Sequence, residues 1–367
     1  MKNKEKSGPI RSKNKNDNFY HEKQLHTANQ KSTNKRLDNL IQSFFKCILR
    51  HPNRTTAKWT FIVVIKLALQ ACSRKRKNKP KEVFKFVLRA LLYRRAFNEM
   101  KRFFNNKQRE KLFVNEPNYL MKCMKPFLRV GFQKTEIAQL LNDHHTWVEN
   151  TFTESAQEQI YLQEIRLRSL PIDEQEYYLT LNFDGKLRKE AELAVNIKDA
   201  QGHTYYSLGF TVQNHNIYIG CIQGNNNDQG FTKAFTKAFF GLRPKSFLVE
   251  TAQFLAQHLK MHHIYAVKNS AHVYNAKRYS NAGEQVNMNY DQLWLESDAV
   301  EHDQWFYEIP LTSERRAIED IKSSKRKLYR DRYQWLDDHN DTLGNAIKSI
   351  TKPEFQAADS KITTNSL

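Results

Sequence analysis

Tyr177–Gly224 reads YYLTLNFDGKLRKEAELAVNIKDAQGHTYYSLGFTVQNHNIYIGCIQG, and its period decides the fold. Apolar and polar residues alternate through YYLTLNFDG, EAELAVNIKDAQG, HTYYSLGFTVQNH and NIYIGCIQG. Alternation sends successive side chains to opposite faces of a strand, and DG, QG and NHN supply turn residues between the runs. The reading is an antiparallel meander of about four strands. Beyond Gly224, NNNDQG leads into a helical stretch, FTKAFTKAFFGLRPKSFLVETAQFLAQHLKM, and HHIYAV follows as one more strand. The fold class expected is α+β: an antiparallel or mixed β-sheet flanked by helices and preceded by a helical, basic N-terminal region.

Residues 1–110 hold 29 Lys and Arg against 7 Asp and Glu, while 111–367 hold 30 against 32, so the net charge of +20 belongs to the front third. Such an excess attracts phosphate-rich surfaces, either anionic lipid or nucleic acid. Residues 1–36 are rich in Lys, Asn and Ser with few aliphatic side chains, and a disordered basic arm is expected there. Leu37, Leu40, Ile41, Phe44, Phe45 and Ile48 then fall at helical spacing, and KEVFKFVLRALLYRRAFNEMKRFF reads as a second basic helix beyond the charged linker SRKRKNKPK. The organisation expected is a helical region over 37–150, an α/β core over 151–340 and a C-terminal tail over 341–367.

The first residues lack the apolar core of a secretory signal, and the expected location is cytoplasmic, peripheral at the inner membrane through the basic region. Trp59–Cys72, WTFIVVIKLALQAC, contains Lys66 and falls short of the roughly 20 apolar residues that span a bilayer, so it reads as a buried or interfacial helix. Cys47, Cys72, Cys123 and Cys221 show no CxxC spacing and suggest neither a zinc site nor a disulfide framework. In TEIAQLLNDHHTWVENTF, Thr135 is the expected N-cap. His144 and His145 point about 100° apart on a helix, which suits core packing better than one shared ion. No Walker A loop, HExxH or GxSxG is present, which removes most of the prior for the enzymes that carry them.

YSLGF, IYIGCIQG, TKAFFGLRPK, AVKNSAHVY, YDQLWLE and IKSSKRKLYRDRY, in that order and spacing, resemble the VirK/YbjX family of Gram-negative bacteria across about residues 115–337. That family is known as a domain of unknown function. The resemblance implies a cytoplasmic protein linked to virulence, envelope remodelling, stress responses and resistance to cationic antimicrobial peptides, and it brings no catalytic residues with it. The order strand, polar loop, helix, strand is also similar to the GNAT acetyltransferase superfamily, in which the loop after the fourth strand binds a pyrophosphate. CIQGNNNDQGFTKAF holds that place, with Gln223, Gly224 and Gly230 as related residue types, although the superfamily's Gln/Arg-x-x-Gly-x-Gly/Ala signature is absent. Acyl-CoA is the cofactor this likeness implies, with a small-molecule or lipid-linked substrate.

The candidate site is VKNSAHVYNAKRYS, which follows HHIYAV. If the strand ends near GLRPK, His272, Tyr274 and Arg278 come within reach of Arg243 and Lys245. His272 would exchange protons, Tyr274 would protonate a leaving thiolate and the three cations would hold an anion at a helix N-terminus. Gly241 and Pro244 equally read as a structural turn between two helices, and His272 and Tyr274 as members of a polar loop bonding to backbone. In NMNYDQLWLESD, strand alternation would put Tyr290, Gln292, Trp294 and Glu296 on one face, making Glu296 either a base or a solvated charge. AIEDIKSSKRKLYRDRYQWL reads as an amphipathic helix whose basic faces are solvated or bind acidic lipid. Two functions stand: an acyltransferase-like envelope factor, or a noncatalytic binding or stress-response regulatory module docking on anionic membrane or nucleic acid.

Overall fold

Strand alternation in Tyr177–Gly224 becomes β2–β5 of a mixed sheet whose order, among the described residues, is β1-β2-β3-β4-β5-β6-β8-β7. The strands are β1 Ile165–Ile172, β2 Gln175–Asn182, β3 Leu193–Asp199, β4 Thr204–Gln213, β5 Asn216–Gly224, β6 His263–Val267, β7 Val300–Glu301 and β8 Phe306–Ile309. The computed structural model describes residues 64–69, 71–72, 79–104, 106, 108–109, 111–112, 116–225, 227–279 and 288–357. These lie in the unit Phe61–Leu367. The expected arm 1–36, the stripe Leu37–Ile48, residues 73–78 of the linker and Ser280 of the candidate segment lie outside them. Residues 64–69 are helical, with Val64, Leu67 and Ala68 buried.

The sheet is larger than the meander and single following strand expected, because IRLRSLPI precedes it as β1 and the short β7 and β8 close it. Neighbours pair antiparallel except β5 and β6, which are parallel and therefore need a crossover. Two helices, α5 (Phe231–Ala238) and α6 (Pro244–His258), make it. At the junction Gly241 takes φ +79° and Pro244 opens α6 at its first turn.

The β5–β6 pairing runs only from Asn216↔His263 to Ile219↔Ala266, while β5 continues beside β4 to Gly224. Within β5, Cys221 faces Gly209 and Ile219 faces Phe210, leaving Gly220 as the extra residue of a β-bulge. The two strands part there, and the segments 183–192 and 268–279 fill the opening.

The remaining helices are α1 (Lys79–Leu92), α2 (Arg94–Phe103), α3 (Lys134–Thr151), α4 (Glu154–Leu162), α7 (Tyr290–Leu295), α8 (Ser323–Ile350) and α9 (Pro353–Ala357). The single basic helix expected over 81–104 breaks at Tyr93 into α1 and α2. The N-cap of α3 is Gln133, whose reciprocal bonding with Glu136 forms a capping box and leaves Thr135 inside the helix. Ile137, Leu141 and Val148 of α3 are fully buried, a burial that contributes about 1.5–3 kcal/mol per side chain. The segment weighed as a strand at NMNYDQLWLESD is instead α7, capped by Asn289, with Tyr290, Leu293 and Trp294 buried at helical spacing. α8 runs through the boundary expected at 340 because Leu343 and Ile347 are buried.

Candidate functional site

Where β5 leaves β6, the loop before β3 lays Glu190 over the bulge, and the segment after β6 brings His272 to meet it. Glu190 is 1% exposed and His272 2%. The Tyr274 N–H approaches His272 Nδ1 at 3.4 Å, so Nε2 carries a hydrogen and faces Glu190 Oε1 at 3.2 Å. Gln223 Nε2 donates to both carboxylate oxygens at 3.0 Å. The imidazole lies between the rings of Tyr274 and Tyr290, whose centroids are 5.3 and 5.2 Å away.

Burial, then the charge of Glu190, pushes the Tyr274 phenol up to about 12, so it stays protonated at neutral pH. The same two causes raise the Cys221 thiol well above its ordinary value, which makes it a poor thiolate nucleophile. Lys189 places its ammonium 4.6 Å from the ring centres of both Tyr274 and Tyr279, at the more exposed edge of the cluster.

Glu192, two residues on, sits in a contrasting setting. Its carboxylate pairs with the buried Lys122 ammonium and accepts from Tyr119 Oη at 2.7 Å, with His145 Nε2 at 3.2 Å. Lys122 is also ringed by Tyr119, Phe127 and Phe183. Burial alone would raise the Glu192 carboxyl, but the Lys122 charge and the His145 bond bring it down to about 2. His145 also bonds Tyr161 at 2.8 Å, and His144 Nδ1 accepts from the Val212 N–H at 3.0 Å. Among the described residues, Glu192 thus has a lysine partner, whose ammonium burial itself pulls down, and Glu190 has neither Lys nor Arg in ion-pair range.

His272, Tyr274 and Gln223 are brought together by the fold. Glu296 is not with them: it ends α7, exposed, and accepts from Gln292 at 3.0 Å, because a helix turns it away from the face a strand would have given it. Arg243 is exposed at the start of α6, and Lys245 reaches Met288 Sδ at 3.2 Å. Arg278 lies beside Tyr279 and Arg89, whose charge it opposes. Gly224 is exposed at the end of β5 against the Tyr206 ring, and Gly230 takes φ +83° before α5. Glu190 escaped the sequence reading, and the signal that marks it is a pair of acids two apart, Glu190 and Glu192, at the edge of an apolar run.

A family model described as a protein of unknown function, DUF535, matches residues 75–345. The chain belongs to the DUF535 family. This DUF535 chain is 26% identical to the uncharacterized protein YbjX of Escherichia coli (strain K12) over 268 residues, 69% of this chain and 79% of that one. Two uncharacterized proteins of Haemophilus influenzae are each 33% identical, over 152 and 135 residues, 40% and 36% of this chain. Those alignments cover 50% and 44% of the two Haemophilus proteins, so the chain spans about half their length. The VirK/YbjX resemblance is therefore a family relationship, and the DUF535 match reaches upstream of residue 115 to take in α1 and α2. No solved structure matches the chain. No helix among the described residues is long and apolar enough to cross a membrane.

Proposed function

We propose that this DUF535 chain transfers an acyl group to an envelope component, with Glu190 and His272 handling the proton. The observation that carries the reading is a buried carboxylate with no Lys or Arg in ion-pair range among the described residues, held by an imidazole and an amide where β5 and β6 part. A buried carboxylate is costly unless it is hydrogen-bonded, and His272 and Gln223 supply those bonds. The sheet order, a meander, a helical crossover to one parallel strand and a closing hairpin, is compatible with the GNAT-like order expected from the sequence.

An acceptor hydroxyl or amine attacks the acyl carbonyl and gives its proton to the Glu190 carboxylate, which His272 Nε2–H and Gln223 Nε2 orient. As the bond from the acyl carbon to the donor's leaving atom breaks, Tyr274 supplies that atom with a proton. Coenzyme A is the donor that the GNAT likeness implies, but the turn before α5 does not fit its diphosphate. The Asp228 carboxylate already accepts from the N–H groups of Gly230 at 2.9 Å and Thr232 at 3.3 Å, and its charge opposes a second anion there. The anionic part of an activated acyl donor is assigned instead to Arg243, Lys245 and Arg278.

The setting in this proposal is envelope remodelling that confers resistance to cationic antimicrobial peptides and supports virulence, at the cytoplasmic face of the inner membrane. In a strain lacking the gene, the wild-type chain should restore survival in polymyxin, whereas folded Glu190→Gln and His272→Gln variants at equal expression should not. Full restoration by both variants would remove the pair from the function. The burial of the pair favours a second reading, a noncatalytic binding or stress-response module in which Glu190 and His272 only fix the segment 268–279. Full restoration is the result that module predicts.

The partner we assign to the basic region is anionic lipid. α1 leaves Phe84 66% exposed, Leu88 44% and Leu91 49%, a stripe at helical spacing, beside Lys81, Lys85 and Arg89. Basic residues flanking an apolar ridge match the headgroup and acyl boundary of a membrane, whereas nucleic acid would use the charge alone. Leu88→Asp should weaken co-sedimentation with phosphatidylglycerol vesicles about tenfold, the loss of one apolar side chain from the interface. Unchanged sedimentation, or tighter binding to DNA than to vesicles, would contradict the assignment.

A further inference from the structure

Two tyrosines and four cations gather where the segment after β6 meets α1 and the loop before β3. The Tyr274 and Tyr279 rings stand edge-on with centres 5.9 Å apart, and the Lys189 ammonium lies 4.6 Å from each. Burial raises the Tyr279 phenol, while the charges of Arg278, Arg188 and Arg89 all pull it down. Arg89 is held below the ordinary arginine value by burial and then by the charge of Arg278. These groups reach solvent: Arg188 and Arg278 are exposed, and Arg89, Lys189 and both tyrosines are half-buried.

Like charges gathered this way repel one another unless an anion offsets them. Among the described residues, the one carboxylate in ion-pair range of the four is Glu116, 3.9 Å from Arg188. Glu82, whose charge also bears on Arg89, pairs with Lys85 at 3.2 Å. Glu190 is held by His272 and Gln223. Arg89, Lys189 and Arg278 are the cations left to an outside anion. A phosphate suits them, since its several oxygens accept from two guanidinium groups and an ammonium at once.

The source of that phosphate follows from α1. Arg89 lies about 100° round the helix from Leu88, which puts it beside the exposed apolar ridge of Phe84, Leu88 and Leu91. A free phosphate has no use for the ridge, whereas a phospholipid sets its chains there and its phosphate one helix face away. We propose that Arg89, Lys189 and Arg278 bind the phosphate of an anionic membrane phospholipid. The inference rests on the acyl-transfer reading for the lipid's role: it makes that phospholipid the acyl donor, with Arg278 common to both assignments. Tyr274 contacts both the Lys189 ammonium and the His272 ring, so a phosphate held there lies one side chain from His272 and Glu190.

Phosphorus NMR on the full chain tests it, with monomeric dihexanoylphosphatidylglycerol as the probe and inorganic phosphate as the comparator. The lipid phosphorus should broaden and shift on titration with the protein, and the lipid should bind more tightly than inorganic phosphate by about tenfold or more. Arg89→Gln and Arg278→Gln should each weaken lipid binding about tenfold, the loss of one charge-assisted contact to phosphate. Arg102→Gln on α2, which removes an exposed charge paired with Glu99, should stay within about twofold of wild type. Should Arg89→Gln fail to fold, Lys189→Gln removes a charge from the loop instead and should show the same loss. Binding is read without turnover, so a chain that binds the lipid with these losses but transfers no acyl group upholds the phosphate site and removes only the transfer reading. Absence of lipid binding, unchanged binding by either arginine variant, an equal loss in Arg102→Gln, or inorganic phosphate bound as tightly as the lipid would overturn the proposal.

Discussion

Gly220→Val is expected to lose most of its folded population, because the bulge residue of β5 has backbone where a side chain would go. A Cβ at Gly220 would lie 1.9 Å from the Glu190 carbonyl oxygen, 2.8 Å from its carbon and 2.9 Å from Leu128 Cδ1. Glu190 is itself tied, with its N–H bonded to Leu187 O at 2.8 Å, so the obstacle is not the end of a flexible side chain. Overpacking generally costs 1–3 kcal/mol, and a backbone collision belongs above about 3 kcal/mol, a large share of a typical 5–15 kcal/mol stability. Gly185→Ala is the control, since its Cβ would meet only Glu116 Oε1 at 3.3 Å, and it should stay within about 1 kcal/mol of wild type. Urea unfolding followed by tryptophan fluorescence checks both, and equal midpoints for the two variants would contradict the packing described at the bulge.

Lys122→Ala is the second large effect. The Lys122 and Glu192 side chains are 8% and 0% exposed, and removing the cation strands a carboxylate among Tyr119, His145 and Tyr161. Breaking a buried pair from one side costs about 3–5 kcal/mol, whereas Lys122→Met combined with Glu192→Leu should recover most of the loss. The pH dependence has a definite sign. In the folded wild type the Glu192 carboxyl is held down at about 2, so its contribution is present above about pH 4.5 and is lost as pH falls toward 2. Without Lys122, burial raises that carboxyl and protonation favours the fold. The gap in stability between variant and wild type should therefore narrow between pH 7 and pH 3, and a gap that widens on acidification would show that the pair does not hold the carboxylate ionised.

The meander was legible because β2–β5 alternate over long runs with turn residues between them. β1 buries Ile165, Leu167, Leu170 and Ile172, but an irregularity in the pairing between Arg166 and Arg168 breaks its alternation, and Arg166, Arg168 and Pro171 weaken its apparent strand propensity. β7 and β8 are too short to show a period. NMNYDQLWLESD was weighed as a strand from the spacing of Tyr290, Gln292, Trp294 and Glu296, and burial of Leu293 beside Trp294 decides for a helix. At the candidate site, His272, Tyr274 and Gln223 were identifiable because they cluster at strand ends. Glu190 was not, since its bond to His272 joins residues 82 apart in sequence and depends on where β5 and β6 separate. Ionic partners chosen by the folded chain, such as Lys122 for Glu192, leave no spacing in the sequence to read.

The most direct test is acyl transfer by the purified full chain. Membranes from a strain lacking the gene would be incubated with isotopically labelled acyl thioester or phospholipid donors, and the products followed by mass spectrometry. The account predicts a labelled acyl increment on one membrane component with the wild-type protein and none with folded Glu190→Gln. Absence of transfer from either donor class, or transfer by Glu190→Gln at the wild-type rate, would contradict it.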